Sequence, residues 1–214
     1  MQPLPFEVAA GDGIRLRGQV WQGGADSVVM VHDLGQDLDC WRPLASPVLE
    51  HGYTVVAIDL RGHGASDGDA DRPDVETDLL AAVTGARERC KGTLTVIADG
   101  AAAVAALSPR LEGQSDGLIL FSPRPKRAQL ARLRGSGTAK LFVVGAADPE
   151  ADQCATELRN RSIGAAGVIS FATSVQGTGL LRGPWLQHVT EQVVGFLDQL
   201  RSPSVTVTRE EGTE

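Results

Sequence analysis

Short β-branched runs alternate with Ala/Leu-rich amphipathic stretches along most of this chain, and that alternation constrains the fold more than any other feature. Strands joined through crossover helices lie parallel, whereas consecutive strands joined by a tight turn lie antiparallel. The candidate strands fall at residues 6–10, 14–21, 27–32, 53–59, 94–98, 117–121, 140–145 and 167–172. Gly11-Asp12-Gly13 separates the first two, so they should form an antiparallel hairpin at one edge. From the third onward helical patterns follow each strand, near 40–51, 74–90, 101–110, 126–134, 150–160 and 185–201. The expectation is an α/β domain with about eight strands, mostly parallel, and helices on both faces. Its chemistry belongs in the loops beyond the carboxyl ends of the strands.

Two hundred and fourteen residues suit a single domain, expected over 1–203, with a polar, Pro-interrupted tail over 204–214. Twenty Lys and Arg against 27 Asp and Glu give a net charge of −7, which argues against a nucleic-acid partner that needs a basic face. No apolar run approaches the roughly 18 residues of a membrane-spanning helix, and the N-terminus lacks the pattern of a signal peptide. The expected location is cytoplasmic. Cys40, Cys90 and Cys154 have no metal-finger or CxxC spacing and read as free thiols. No metal and no cofactor are expected. Asp67, Asp69 and Asp71 alternate as in a calcium loop, but Arg72 and Asp78 stand where glycine and glutamate are needed, so these acids read as a solvated loop and helix N-terminus.

Residues 28–68, VVMVHDLGQDLDCWRPLASPVLEHGYTVVAIDLRGHGASDG, resemble the strand-HGxG-helix-GY-strand-DxRGHGxS segment of the α/β-hydrolase superfamily, in its small bacterial branch of serine esterase and lysophospholipase-like proteins. Weaker likeness runs on through LILFSP, VVGAADP and the last helix. The resemblance implies an α/β-hydrolase fold. Only residues 122–139 separate strands 6 and 7, which leaves no room for a cap domain.

It also implies where the machinery should stand. The HGxG turn is His32-Asp33-Leu34-Gly35, so the backbone N–H of Leu34 would be one oxyanion donor and that of Ala101, after the nucleophile position, the other. Asp33 replaces the usual glycine, and a carboxylate there would oppose catalysis unless it points away. His32 and His63 read as braces of loops. The G-x-S-x-G elbow after strand 5 is Ala98-Asp99-Gly100-Ala101-Ala102, which places Gly100 where the serine nucleophile belongs. A shifted alignment makes Asp99 a nucleophile of the dehalogenase type, against a plainer role as a carboxylate beside a helix N-terminus. Asp148 retains the triad-acid position in Gly145-Ala146-Ala147-Asp148 and equally suits a helix N-cap before Pro149. Gln176 occupies the place of the histidine base, with Thr178 as the alternative, and neither can act as a base near neutral pH. His188 reads as part of the last helix.

The nucleophile and base positions are thus both degenerate. The leading reading is a non-catalytic homologue that binds a small ligand or a protein partner. Its rival is an ester hydrolase with an unconventional centre built on Asp99 or Asp148 and activated water. Arg124, Lys126 and Arg127, with Arg132 and Arg134, form a basic stretch without an acid between 117 and 147, which suggests an anion-binding rim or an ordinary solvated helix face.

Overall fold

The computed structural model describes residues 2–130 and 137–201. The expected tail at 204–214, and Arg132 and Arg134, lie outside the described residues. Eight strands form one sheet: β1 (Leu4–Ala9), β2 (Arg15–Trp21), β3 (Ser27–Val31), β4 (Thr54–Ile58), β5 (Leu94–Asp99), β6 (Gly117–Phe121), β7 (Ala139–Gly145) and β8 (Ala166–Phe171). Their order is β1-β2-β4-β3-β5-β6-β7-β8. β1–β2 and β2–β4 pair antiparallel, and every later pair is parallel. Each strand lies within two residues of its sequence-based bounds.

The central strands are apolar on both faces because helices cover both. Along β3, Val29 and Val31 enter one core cluster while Val28 and Met30 enter the other, and β5 and β6 divide their residues by the same period of two. Helices α1 (Arg42–Glu50) and α6 (Leu186–Arg201) pack on one face, through Leu44, Val48, Val189 and Val193. Helices α2 (Val75–Arg87), α3 (Gly100–Ala105) and α5 (Pro149–Arg161) pack on the other, through Leu79, Ala82, Ala102 and Leu158. A short α4 (Arg127–Leu130) follows β6. The helix expected to reach residue 110 ends at Ala105, and a 3-10 turn resumes at Pro109. A proline disfavours the helical conformation of the residue before it, and Ser108 is accordingly extended and caps the turn.

Two features of this layout position the site. β3 and β5 are adjacent, yet β3 leads to α1 on one face and β5 to α3 on the other, which opens a crevice at their carboxyl ends. The loops around the crevice are braced by the two family histidines. His32 is fully buried, donates from Nδ1 to the Asp33 carbonyl and accepts the Leu60 N–H at Nε2. His63 donates from Nδ1 to the Arg61 carbonyl and accepts the Gly35 N–H. Both rings are neutral in these bonds, and burial holds His32 below its usual pKa. They are structural, as the sequence suggests.

Candidate active site

β5 ends at Asp99, and the next residue, Gly100, turns into α3 with φ +50°. That is the strained strand-to-helix elbow, and glycine adopts it without a Cβ penalty. Ala98 and Ala102, on either side, are fully buried against the neighbouring elements. The elbow is therefore built, and Gly100, where the resemblance implies the nucleophile, carries no side chain.

The space above Gly100 is not open. A Cβ placed on Gly100 would come within 2.1 Å of the Asp33 Cγ and Oδ2 and 2.4 Å of Oδ1. Asp33 thus points into the site, at the end of β3, and settles the condition under which the sequence left room for catalysis. Its Oδ1 accepts the Leu34 N–H at 2.8 Å and the Ala101 N–H at 2.7 Å. These are the two backbone donors expected to form the oxyanion hole. They exist and converge, but on the protein's own carboxylate, which sits where the negative oxygen of an acyl-transfer intermediate would sit.

Asp99 lies one residue before the positive-φ position, so the shifted alignment that makes it a nucleophile is not supported. Nor does it cap α3, because its side chain makes no capping bond. It turns instead to the loop after β8, where its Oδ2 accepts the Thr178 N–H at 2.8 Å. Only 3% of Asp99 is exposed. Burial chiefly, with the Asp33 charge adding to it, pushes its carboxyl up to about 6. Gly177, with φ +58°, makes this approach feasible, since a Cβ there would meet the Asp99 oxygens at 2.4 Å.

Gln176, where the resemblance implies the base, is held by hydrogen bonds on both ends of its amide. Gln176 Nε2 donates to the Gly145 carbonyl at 2.8 Å, and its Oε1 accepts the Ser122 hydroxyl at 2.6 Å and the Gly145 N–H at 3.2 Å. Ser122 also accepts the Gly177 N–H, and it holds φ +43°, the one positive φ outside glycine among the described residues. Two bonds through a single hydroxyl offset that backbone strain and clamp the β8 loop to β6. Sequence reading missed Ser122 as a site residue, and no local motif marks it. Thr178, the alternative base, is buried and gives its hydroxyl proton to Gln36 Oε1 at 3.0 Å. His188 is exposed on α6 with its ring edge on Phe171, away from these groups.

Asp148 caps α5, with Oδ1 accepting the N–H groups of Glu150 and Ala151, while Oδ2 binds Arg124 Nη2 at 2.5 Å. The Ala151 N–H first, and Arg124 after it, hold its carboxyl below the usual range. No hydrogen bond joins it to Gln176 among the described residues. The acid position therefore serves the helix and an arginine. This also revises the basic rim: Arg124 spends its charge on Asp148, Lys126 stands exposed on a neighbouring groove, and the Arg127 side chain lies outside the described residues.

What remains is a cleft of about 390 Å³ lined by Asp33, Gln36, Asp99, Gly100, Ser122 and Gln176, with Arg124 at its edge. It adjoins a groove of about 670 Å³ in which Leu34, Val75, Val104 and Leu107 supply apolar walls.

A mostly parallel eight-stranded sheet with an elbow after β5, a convergent pair of backbone donors and no inserted cap is an α/β-hydrolase. Residues 24–149 match the model of the serine aminopeptidase S33 family, and the chain belongs to that family. A 61-residue stretch is 46% identical to the dihydrolipoyllysine-residue acetyltransferase component of the acetoin cleaving system of Cupriavidus necator; it spans 28% of this chain but only 16% of that protein. Among solved structures, an esterase of Pyrococcus furiosus superposes with a TM-score of 0.78 over 94% of both chains at 16% identity. Mouse alpha/beta hydrolase domain-containing protein 10 superposes with a TM-score of 0.73 over 92% of this chain and 99% of its own at 10% identity. At such identities the two structures attest the fold alone.

The buried Asp99 carboxyl has a consequence for stability. Its folded pKa of about 6 exceeds the unfolded value of about 3.9, so the folded state holds the proton more tightly. The cost of ionising it accrues as pH rises from about 4 to about 6, and is constant above. Asp99→Asn should therefore be more stable than the native chain near neutral pH, by up to about 3 kcal/mol, with the gap closing near pH 4. Urea unfolding of both proteins across that range checks this, and a gap independent of pH would contradict it.

Proposed function

We propose that the chain is a non-catalytic α/β-hydrolase that acts by binding a ligand or partner in the remnant of its active-site cleft. One observation carries the reading: the Asp33 carboxylate takes both oxyanion donors and the volume of a nucleophile side chain. An acyl substrate would have to displace an anion already held by two N–H groups, and would then meet no nucleophile and no base. Gly100 and Gln176 support the same conclusion from the two other essential positions. The rival centre, water activated by Asp99 or Asp148, lacks support from the geometry. Asp148 is held by Arg124 and by the α5 N-terminus, and Asp99 is tied to Thr178. A small exposed cleft also suits binding better than a sealed reaction chamber. A cytoplasmic setting is supported by the three free thiols and by the lack, among the described residues, of a helix long and apolar enough to cross a membrane.

The test is hydrolysis of short- and medium-chain nitrophenyl esters by the purified chain beside Asp148→Asn. Neither protein should exceed the rate in buffer. Turnover by the native chain that Asp148→Asn abolishes would overturn the reading.

A further inference from the structure

We infer that the chain forms a two-fold homodimer in which the free edges of β8 pair antiparallel and join the two sheets into one, with the two copies of α5 packed side by side across the axis. The inference goes beyond the cleft and does not depend on what binds there.

An open sheet has two edges, and this one protects only the first. β1 carries Pro5 and an exposed Glu7, which oppose the addition of another strand. β8 has no such device. No charged residue and no proline falls between Ser162 and Gln176, and the pairing of β8 with β7 runs from Ala166 to Phe171 without a bulge. The Ala165 and Phe171 carbonyls accept the N–H groups of Lys140 in β7 and of Ala146 just after it. By the alternation of a strand, the N–H and C=O groups of Ala166, Val168 and Ser170 therefore point outward. Just before the strand Ile163 is 73% exposed, so apolar surface flanks the edge.

The occupant that fits this edge is a second copy. A two-fold axis at Val168 sets that residue against its mate and Ala166 against Ser170 of the other copy, so each exchanges both backbone groups with the residue opposite and no like charges meet. Helix α5 obeys the same axis. Asp152 Oδ1 accepts the Ser170 hydroxyl at 2.9 Å, which fixes the register of helix on strand. Thr156 and Arg159 follow Asp152 at helical spacing on the same stripe of α5. Thr156 lies about 6 Å along the helix from Asp152, and Val168 about 7 Å along the strand from Ser170, so both midpoints stand at one level. The stripe runs from acid through neutral to base, and a two-fold through its middle brings Asp152 of each copy to Arg159 of the other. Among the described residues neither charge is in an ion pair within its own chain, and Arg159 donates to Asn160 Oδ1.

The spacing agrees. Since α5 packs over both β7 and β8, its axis lies about half a strand spacing inside β8, and the two-fold lies about half a spacing outside it. The two-fold of an antiparallel pair is perpendicular to the sheet, so both helices stay on one face, about 10 Å apart, which is the distance at which helices pack. A net charge of −7 repels a second copy in general, which leaves this neutral edge with its complementary charges as the surface where self-association is least opposed.

Sedimentation equilibrium of the purified full chain at about 100 μM tests the inference. The native chain should sediment as a dimer, at twice its mass of 22.5 kDa. Arg159→Glu sets acid against acid on both sides of the axis and should weaken the dimer by at least about ten-fold. Asp152→Arg/Arg159→Glu reverses both charges and should return the affinity to within about three-fold of native. Val168→Pro removes the central outward N–H without touching the ladder to β7, and should also weaken the dimer by about ten-fold or more. Thermal melts verify that each variant is folded. A native chain that stays at 22.5 kDa, a dimer left intact by either single variant, or a charge reversal that fails to restore what Arg159→Glu loses would each overturn the inference.

Discussion

A Gly100→Ser/Gln176→His double variant should show no turnover of nitrophenyl esters and lose about 2 to 5 kcal/mol of stability, even though it places a serine and a histidine where the family resemblance implies them. The loss has two sources. A Cβ at residue 100 would lie 2.1 Å from the Asp33 carboxyl, and the backbone there has φ +50°, which a serine adopts only under strain. The inactivity follows because the Leu34 and Ala101 N–H groups remain occupied by Asp33. Adding Asp33→Gly removes the obstruction and frees both donors together. The triple variant should then hydrolyse nitrophenyl acetate about a hundred-fold or more faster than the double, the scale on which oxyanion donors act. Equal rates in double and triple variants, measured beside buffer, would show that Asp33 is not what closes the site.

The largest effect on stability is expected from the buried ion pair between the RGHG loop and α2. Arg61 grips Asp78 through Nη2 and Nε, the Asp78 side chain is fully buried, and Asp12 holds the remaining Nη1. Asp78 also accepts the Arg61 N–H, so it fixes the backbone of the loop as well as its charge. Asp78→Ala would leave the buried guanidinium with the half-exposed Asp12 alone, at a cost of about 3 to 5 kcal/mol. For a domain of this size that lowers the melting temperature by about 6 to 20 °C. Arg61→Met/Asp78→Leu should recover much of the loss, because a packed apolar pair removes the stranded charge. A melting temperature unchanged in Asp78→Ala would refute this account of the loop.

Local periodicity made most of the fold legible. β3, β5 and β6 carry apolar residues on both faces because helices cover both, and runs such as residues 117–121 have no other plausible place. The elbow could be found because its small residues, Ala98 and Ala102, answer a packing demand that persists without the chemistry. The motif likewise pointed to the backbone N–H groups of Leu34 and Ala101, which converge on Asp33 Oδ1, since backbone groups depend on the turn rather than on side chains. What the sequence left open was side-chain direction. Whether Asp33 faces the oxyanion hole or solvent depends on one rotamer, selected by two N–H groups, one from its own turn and one from α3, 68 residues on from Asp33.

Long-range pairing hid the rest. Arg124 reads as part of a basic stretch until β6 and β7 bring it to Asp148, 24 residues on. Ser122 and Gln176 are 54 residues apart and carry no shared pattern, yet their bond holds the base position in its present form. The acidic character of the cleft escaped the sequence for the same reason. Asp33 and Asp99 become neighbours only through the parallel pairing of β3 with β5.

Asp33 holds the Leu34 and Ala101 N–H groups, so the backbone amide resonances of those two residues report its position. Assigned spectra of the native chain and of Asp33→Ala should show both amide protons moving upfield together in the variant, as a carboxylate acceptor is lost, while the amides of β1 and β8 stay in place. Leu34 and Ala101 resonances that are unchanged by the substitution would mean that the hole is open, and the proposal that the chain is non-catalytic would lose its main support.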